Sequence, residues 1–131
     1  MSMTVINPEA LADPSGYNNG VMFEGGKLLF VAGQIGWDRA GRIVSDDFPE
    51  QFAQALSNVL AVVRDAGGSP ASIARLLILV TDKKEYSARV KDVGVAYRHL
   101  MGKHFPAMTL VEVSSLLEDL AKVEIEAIAV I

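Results

Sequence analysis

The stretch Val123-Glu124-Ile125-Glu126-Ala127-Ile128-Ala129-Val130 decides how this chain must fold. Successive side chains of a strand point to opposite faces. Val123, Ile125, Ala127 and Ala129 therefore share one face, and Glu124, Glu126, Ile128 and Val130 share the other. The preceding apolar run, Met108 to Val113, behaves alike, with Thr109, Val111 and Val113 opposing Met108, Leu110 and Glu112. A sheet built from such strands is apolar on both sides, and both sides need a cover.

Working outward, the covers are two helices. Asp46-Asp47 offers an N-cap, Pro49 suits a first turn, and Glu50 stands three residues after Asp47 in capping-box spacing. Phe52, Leu56, Val59 and Val63 then recur at helical period until Gly67-Gly68. A second helix is expected over Lys84 to Met101, with Tyr86, Val90, Val93, Tyr97 and Leu100 inward. Between them Arg75 to Val80 reads as a buried strand without polar alternation. Val21 to Phe23 and Leu28 to Gly33 read as a hairpin about Gly25-Gly26, and Asn7 to Gly20 as loop.

The order hairpin, helix, strand, helix, strand, strand predicts an α+β fold. Its sheet is mixed and partly parallel, with both helices on one face. Two helices cannot cover the second face, so a partner subunit in closed rotational symmetry is the economical cover. An acid such as Glu124 or Glu112 among buried apolar neighbours must be solvated, paired or functional.

At 131 residues the chain has room for one domain. A net charge of −4 with scattered basic residues argues against nucleic acid as the main partner. The absence of cysteine removes disulfides, thiol nucleophiles and thiolate metal sites together. No basic, apolar leader is visible at the N-terminus, and no apolar run nears the roughly 20 residues that span a bilayer. A cytoplasmic protein without membrane contact is the expectation.

Familiar catalytic motifs are missing. Gly25-Gly26 and Gly67-Gly68 lack P-loop spacing, and no Gly-x-Ser-x-Gly occurs. His99 and His104 are five apart with no accompanying ligand pattern, so no metal site is expected.

Three segments taken together resemble one family. They are Phe30-Val-Ala-Gly33-Gln34-Ile35, then Phe105-Pro106-Ala107-Met108-Thr-Leu-Val-Glu112-Val113, and the closing strand quoted above. In this order they are similar to the Rid, or YjgF, family of enamine/imine deaminases, from about Gly16 to the end. The resemblance implies a chorismate-mutase-like fold and homotrimers, with sheets forming a central barrel and clefts between subunits. Active members hydrolyse reactive enamines and imines, such as 2-aminoacrylate, to a 2-keto acid and ammonia without metal or organic cofactor. An arginine clamps the substrate carboxylate, and a last-strand glutamate positions the attacking water.

This chain departs from that pattern at the clamp. Where active members read Phe-Pro-Ala-Arg, it has Phe105-Pro106-Ala107-Met108. A thioether cannot replace the bidentate, charge-assisted pair that a guanidinium makes with a carboxylate. The loss amounts to a few kcal/mol, roughly two orders of magnitude in transition-state binding. Ala32 stands where a serine or threonine is frequent, Leu110 where many members are small or polar, and Gly94 where well-known deaminases carry asparagine.

The resemblance leaves Glu124 as the candidate catalytic base. Tyr17, Ala32, Gly33, Gln34, Ala107, Met108, Thr109 and Leu110 are the candidate substrate contacts. Gly33 would admit a ligand close to the backbone, and main-chain N–H groups near Ala107 and Thr109 would hold a carbonyl. Three functions follow: hydrolysis of imines with an altered substrate range, metabolite sensing without turnover, and the ribonuclease activity of some relatives. The acidic charge and the absence of a catalytic histidine pair disfavour the last.

Overall fold

The computed structural model describes residues 3–131. Strands β1 (Met3–Ile6), β2 (Gly20–Phe23) and β3 (Leu28–Ile35) lead into helix α1 (Phe48–Asp65). Strand β4 (Ile73–Val80), helices α2 (Lys83–Ala88) and α3 (Val90–Met101), and strands β5 (Ala107–Glu112) and β6 (Val123–Val130) follow. The main sheet has the order β3-β6-β4-β5. β6 is antiparallel to both its neighbours, and β4 and β5 are parallel across the α2–α3 crossover. The mixed sheet with helices on one face is as the sequence predicts.

Helix α1 begins where its capping signal lies. Asp47 is extended, and its carboxylate accepts the Glu50 N–H at 3.3 Å. The helix stops at Ala66, and Gly67 takes the left-handed conformation (φ 92°) that a side chain would resist. Its inner face, with Phe52, Leu56, Val59 and Val63, packs on Val31, Leu76, Ile78, Val123, Ile125 and Ala127 in one buried cluster.

Two expectations need correction. Val21 to Phe23 does not form a hairpin with Leu28 to Gly33. β2 pairs instead with β1, from Met3↔Phe23 to Ile6↔Gly20, as a separate two-stranded ribbon. β6 pairs with one edge of β3, and Lys27 and Ile131 exchange main-chain hydrogen bonds at its start. The expected single helix over Lys84 to Met101 is also divided at Arg89. Asp82 caps the first piece by accepting from the Lys84 and Glu85 N–H groups. Arg89 leaves helical geometry (φ −112°, ψ 18°) while its guanidinium binds Asp47 at 2.8 Å and Asp92 at 3.0 Å.

The sheet's second face stays open in the single chain. Leu28 and Phe30 are 66% and 70% exposed there, and Leu77, Leu79 and Ile128 are partly exposed at alternate positions of the neighbouring strands.

Among the described residues one polar side chain, Gln51, lies entirely inside. Its amide donates to the carbonyls of Ser45 (2.8 Å) and Leu120 (3.0 Å) and accepts the Lys122 N–H at 2.9 Å. It thereby fastens the loops before α1 and before β6 to the helix. Gly36 makes the approach possible, since a Cβ there would lie 2.7 Å from the Gln51 Cα. Replacing Gln51 by leucine leaves three main-chain groups without partners, and the expected cost is about 3 kcal/mol in urea denaturation.

Asp47 sets a pH dependence. The hydrogen bond from Arg89 holds its carboxyl below the ordinary value of 3.8, outweighing partial desolvation. A depressed pKa means the contribution is complete above 3.8 and fades as pH falls through the folded-state value. Asp47→Asn should therefore lower Tm at neutral pH, and the gap to wild type should close below pH 3.8 in thermal scans.

Candidate functional site

Most of the residues singled out in the sequence lie at two places, on opposite faces of the sheet.

The first group gathers at a bulge. Val31 pairs with Ala127 and Gln34 with Ile125, so Ala32 and Gly33 stand opposite the single residue Glu126. Such an insertion bends the strand and frees main-chain groups from the ladder. The Gln34 amide answers one of them, donating to the Ala32 carbonyl at 3.1 Å. The Glu124 side chain lies over Gly33: a Cβ on Gly33 would come within 2.8 Å of the Glu124 carboxyl carbon. A side chain at position 33 would displace the carboxylate from this place. Glu124 is half-buried and makes no ion pair among the described residues. The lysine two positions earlier, Lys122, turns to Glu85 at 3.3 Å instead. Asn58 of α1 steadies the end of β3 by donating to the carbonyls of Ile35 (3.1 Å) and Trp37 (3.0 Å).

The second group lines a cavity of about 460 Å³ on the helix side. Its floor is Ile78, Met108 and Leu110, its wall is α3 with Val93, Gly94, Tyr97 and Arg98, and Ser15 to Tyr17 edge it. Tyr17 reaches this place because its neighbour Asn18 is tied to the segment before β5. The Asn18 amide donates to the Phe105 carbonyl, and its N–H donates to the Pro106 carbonyl at 3.1 Å. Asn7 donates to the Asn18 side chain at 2.9 Å, which fixes the loop from the other end. Tyr97 stacks on Phe105 with ring centres 5.4 Å apart and donates its hydroxyl to the His104 carbonyl at 2.7 Å. Burial pushes the Tyr97 phenol up, so it remains a neutral donor.

Ala107 and Thr109 belong to β5, the edge strand, whose outer main-chain groups face away from β4. The Thr109 side chain is exposed, unlike those of Met108 and Leu110. Tyr17, Met108 and Leu110 thus come together, and Glu124 lies over Gly33 next to Ala32, whereas Gln34 borders a recess with Trp37 and Asn58; one chain does not join the cavity to Glu124.

Other candidates are accounted for structurally. Glu112 accepts the Lys83 N–H at 2.9 Å near the start of α2. A ring nitrogen of His104 sits 2.7 Å from the Ile73 carbonyl, and His99 is exposed. Among the described residues no three His, Asp or Glu side chains converge as a metal site would require. Sequence reasoning missed Gln51 and Arg98. Neither belongs to a motif; Gln51 could have been flagged only as a polar residue on the apolar face of α1.

The family described as Endoribonuclease L-PSP matches residues 8–131. This chain belongs to that family, known also as YjgF/Rid. The 2-iminobutanoate/2-iminopropanoate deaminase of Salmonella typhimurium is 35% identical over 133 aligned residues, covering 99% of this chain and 98% of that protein. Among solved structures, YyfB from Yersinia pestis, a Rid protein of unknown function, superposes with a TM-score of 0.88 at 31% identity over the whole of both chains. TdcF from E. coli, solved with bound serine, gives a TM-score of 0.70 at 28% identity, covering 98% of each chain. The Rid fold expected from the three motifs is therefore the fold of this chain. No helix among the described residues is long and apolar enough to cross a membrane.

Proposed function

We propose that this Rid protein is a homotrimer that hydrolyses enamines or imines in clefts between its subunits. The observation that carries the reading is the division of the site. Glu124 over Gly33 lies on the open face, whereas Tyr17, Met108 and Leu110 line the helix-side cavity. A cleft between subunits lets the bulge of one chain meet the cavity of the next. The exposed Leu28 and Phe30 supply apolar surface for such an assembly. The imine deaminase name of the Salmonella relative supports the reaction class, and the serine bound to TdcF supports a pocket for small amino-acid-like molecules.

The chemistry needs few groups. The Glu124 carboxylate takes a proton from water as the oxygen attacks the imine carbon. The imine nitrogen is protonated, giving a carbinolamine. Collapse of this intermediate breaks the carbon–nitrogen bond and releases ammonia and the carbonyl product. Water is the only co-reactant, and no cofactor takes part. Met108 in the clamp position moves the substrate range away from small 2-imino acids held by a carboxylate on β5. A net charge of −4 disfavours RNA as a substrate, because a polyanion is repelled.

The test generates imines in situ with an amino-acid oxidase and follows loss of the semicarbazide-trappable species. Wild type should accelerate the loss, and Glu124→Gln should slow it about a hundredfold. Met108→Arg should gain on small 2-imino acids. Equal rates for wild type and Glu124→Gln would overturn the assignment. Saturable binding without turnover would identify a metabolite sensor instead.

A further inference from the structure

The helix-side cavity has one charged group in its lining. Arg98 of α3 stands at its edge, and the remaining walls are aromatic, aliphatic or small. The approach has a local cause. Helical side chains lean back over the preceding turn, so Arg98 covers position 94. Position 94 is glycine, and a Cβ there would lie 3.2 Å from an Arg98 Nη atom. The missing side chain makes room for the guanidinium to lie along the helix toward the cavity.

Arg98 makes no ion pair among the described residues, in contrast to Arg89 nine positions earlier, which binds two aspartates. The residues three and four positions away on either side are Gly94, Val95, Met101 and Gly102, so its own helix offers no carboxylate. A guanidinium unmatched by its own helix, at the edge of an apolar cavity of about 460 Å³, suits a particular ligand. That ligand is a monocarboxylate with a bulky apolar body, whose acid group takes the two parallel N–H donors of the fork.

We propose that Arg98, seated over Gly94, is the carboxylate anchor of this cavity, and that the apolar floor of Met108 and Leu110 receives an aromatic or branched side chain. The proposal rests on the imine-hydrolysis reading for its substrate class, which becomes the imines of large apolar 2-amino acids. The anchor has moved from the β5 strand to helix α3. Arg98 is a binding residue here, not a catalytic one.

The experiment measures binding rather than turnover, so it stands even if the chain hydrolyses nothing. Phenylacetate and its neutral counterpart phenylacetamide are titrated calorimetrically into wild type, Arg98→Gln and Arg98→Lys. Wild type should bind the acid about tenfold tighter than the amide, as expected for a charge-assisted hydrogen bond at a solvated edge. Arg98→Gln should abolish that preference while binding the amide as before, which shows the cavity intact. Arg98→Lys should retain part of it. Arg98 also lies in the last turn of α3, where a cation complements the helix dipole. If that is its whole role, Arg98→Gln lowers Tm and leaves the acid-to-amide ratio unchanged, and the proposal is overturned. Absence of phenylacetate binding to wild type overturns it equally. If binding behaves as stated but the wild type does not accelerate imine loss, the anchor stands and the deaminase reading falls.

Discussion

Strand β6 lies between β3 and β4, and the two-residue period of its side chains sets the conditions that the rest of the chain meets. One face of β6 must be as apolar as any core strand, because α1 rests on Val123, Ile125 and Ala127. The other face carries Glu124, Glu126 and Ile128. A register slip of one residue would put the two acids under α1, so the alternation fixes the pairing firmly. The bulge in β3 then matters because it brings a residue without a side chain beneath Glu124. An acid that would otherwise project from the sheet is laid along it.

On the helix side, polar tethers fix the segments that surround the apolar cluster. Gln51 ties its helix to the adjacent loop at Ser45 and to the distant loop at Leu120 and Lys122, and Asn58 holds the strand end beyond the bulge. Asn18 does the same for the loop carrying Tyr17. Each is an amide side chain bonded to main-chain carbonyls, an arrangement that satisfies buried backbone groups and fixes geometry together. The break at Arg89 belongs to the same design, since its ion pair with Asp47 ties the α2–α3 junction to the cap of α1.

Much of this was legible in the sequence because it depends on local pattern. The cap at Asp47, the stop at Gly67 and the alternation in β6 are properties of a few adjacent residues, and the structure repeats them. The three motifs led to the Rid family and its fold. The pairing of β1 with β2 was not legible, because Gly25-Gly26 makes a good hairpin turn, whereas the strand that β2 pairs with lies beyond the intervening loop. The interruption at Arg89 was hidden because Tyr86, Val90 and Val93 keep helical spacing through it. For the site, the motif residues were legible individually, but their division between two faces follows from sheet geometry. Arg98 was invisible for a simpler reason: an arginine near a helix end is ordinary until the glycine beneath it and the cavity beside it are seen together.

The account depends most on the idea that copies of this chain cover the open face and complete the site. Sedimentation equilibrium of the full chain, beside Phe30→Glu on that face, tests it most directly. The account predicts a particle of three chain masses for wild type and dissociation in the variant, with the helical circular-dichroism signal retained. A wild type that sediments as one chain at tens of micromolar would contradict it.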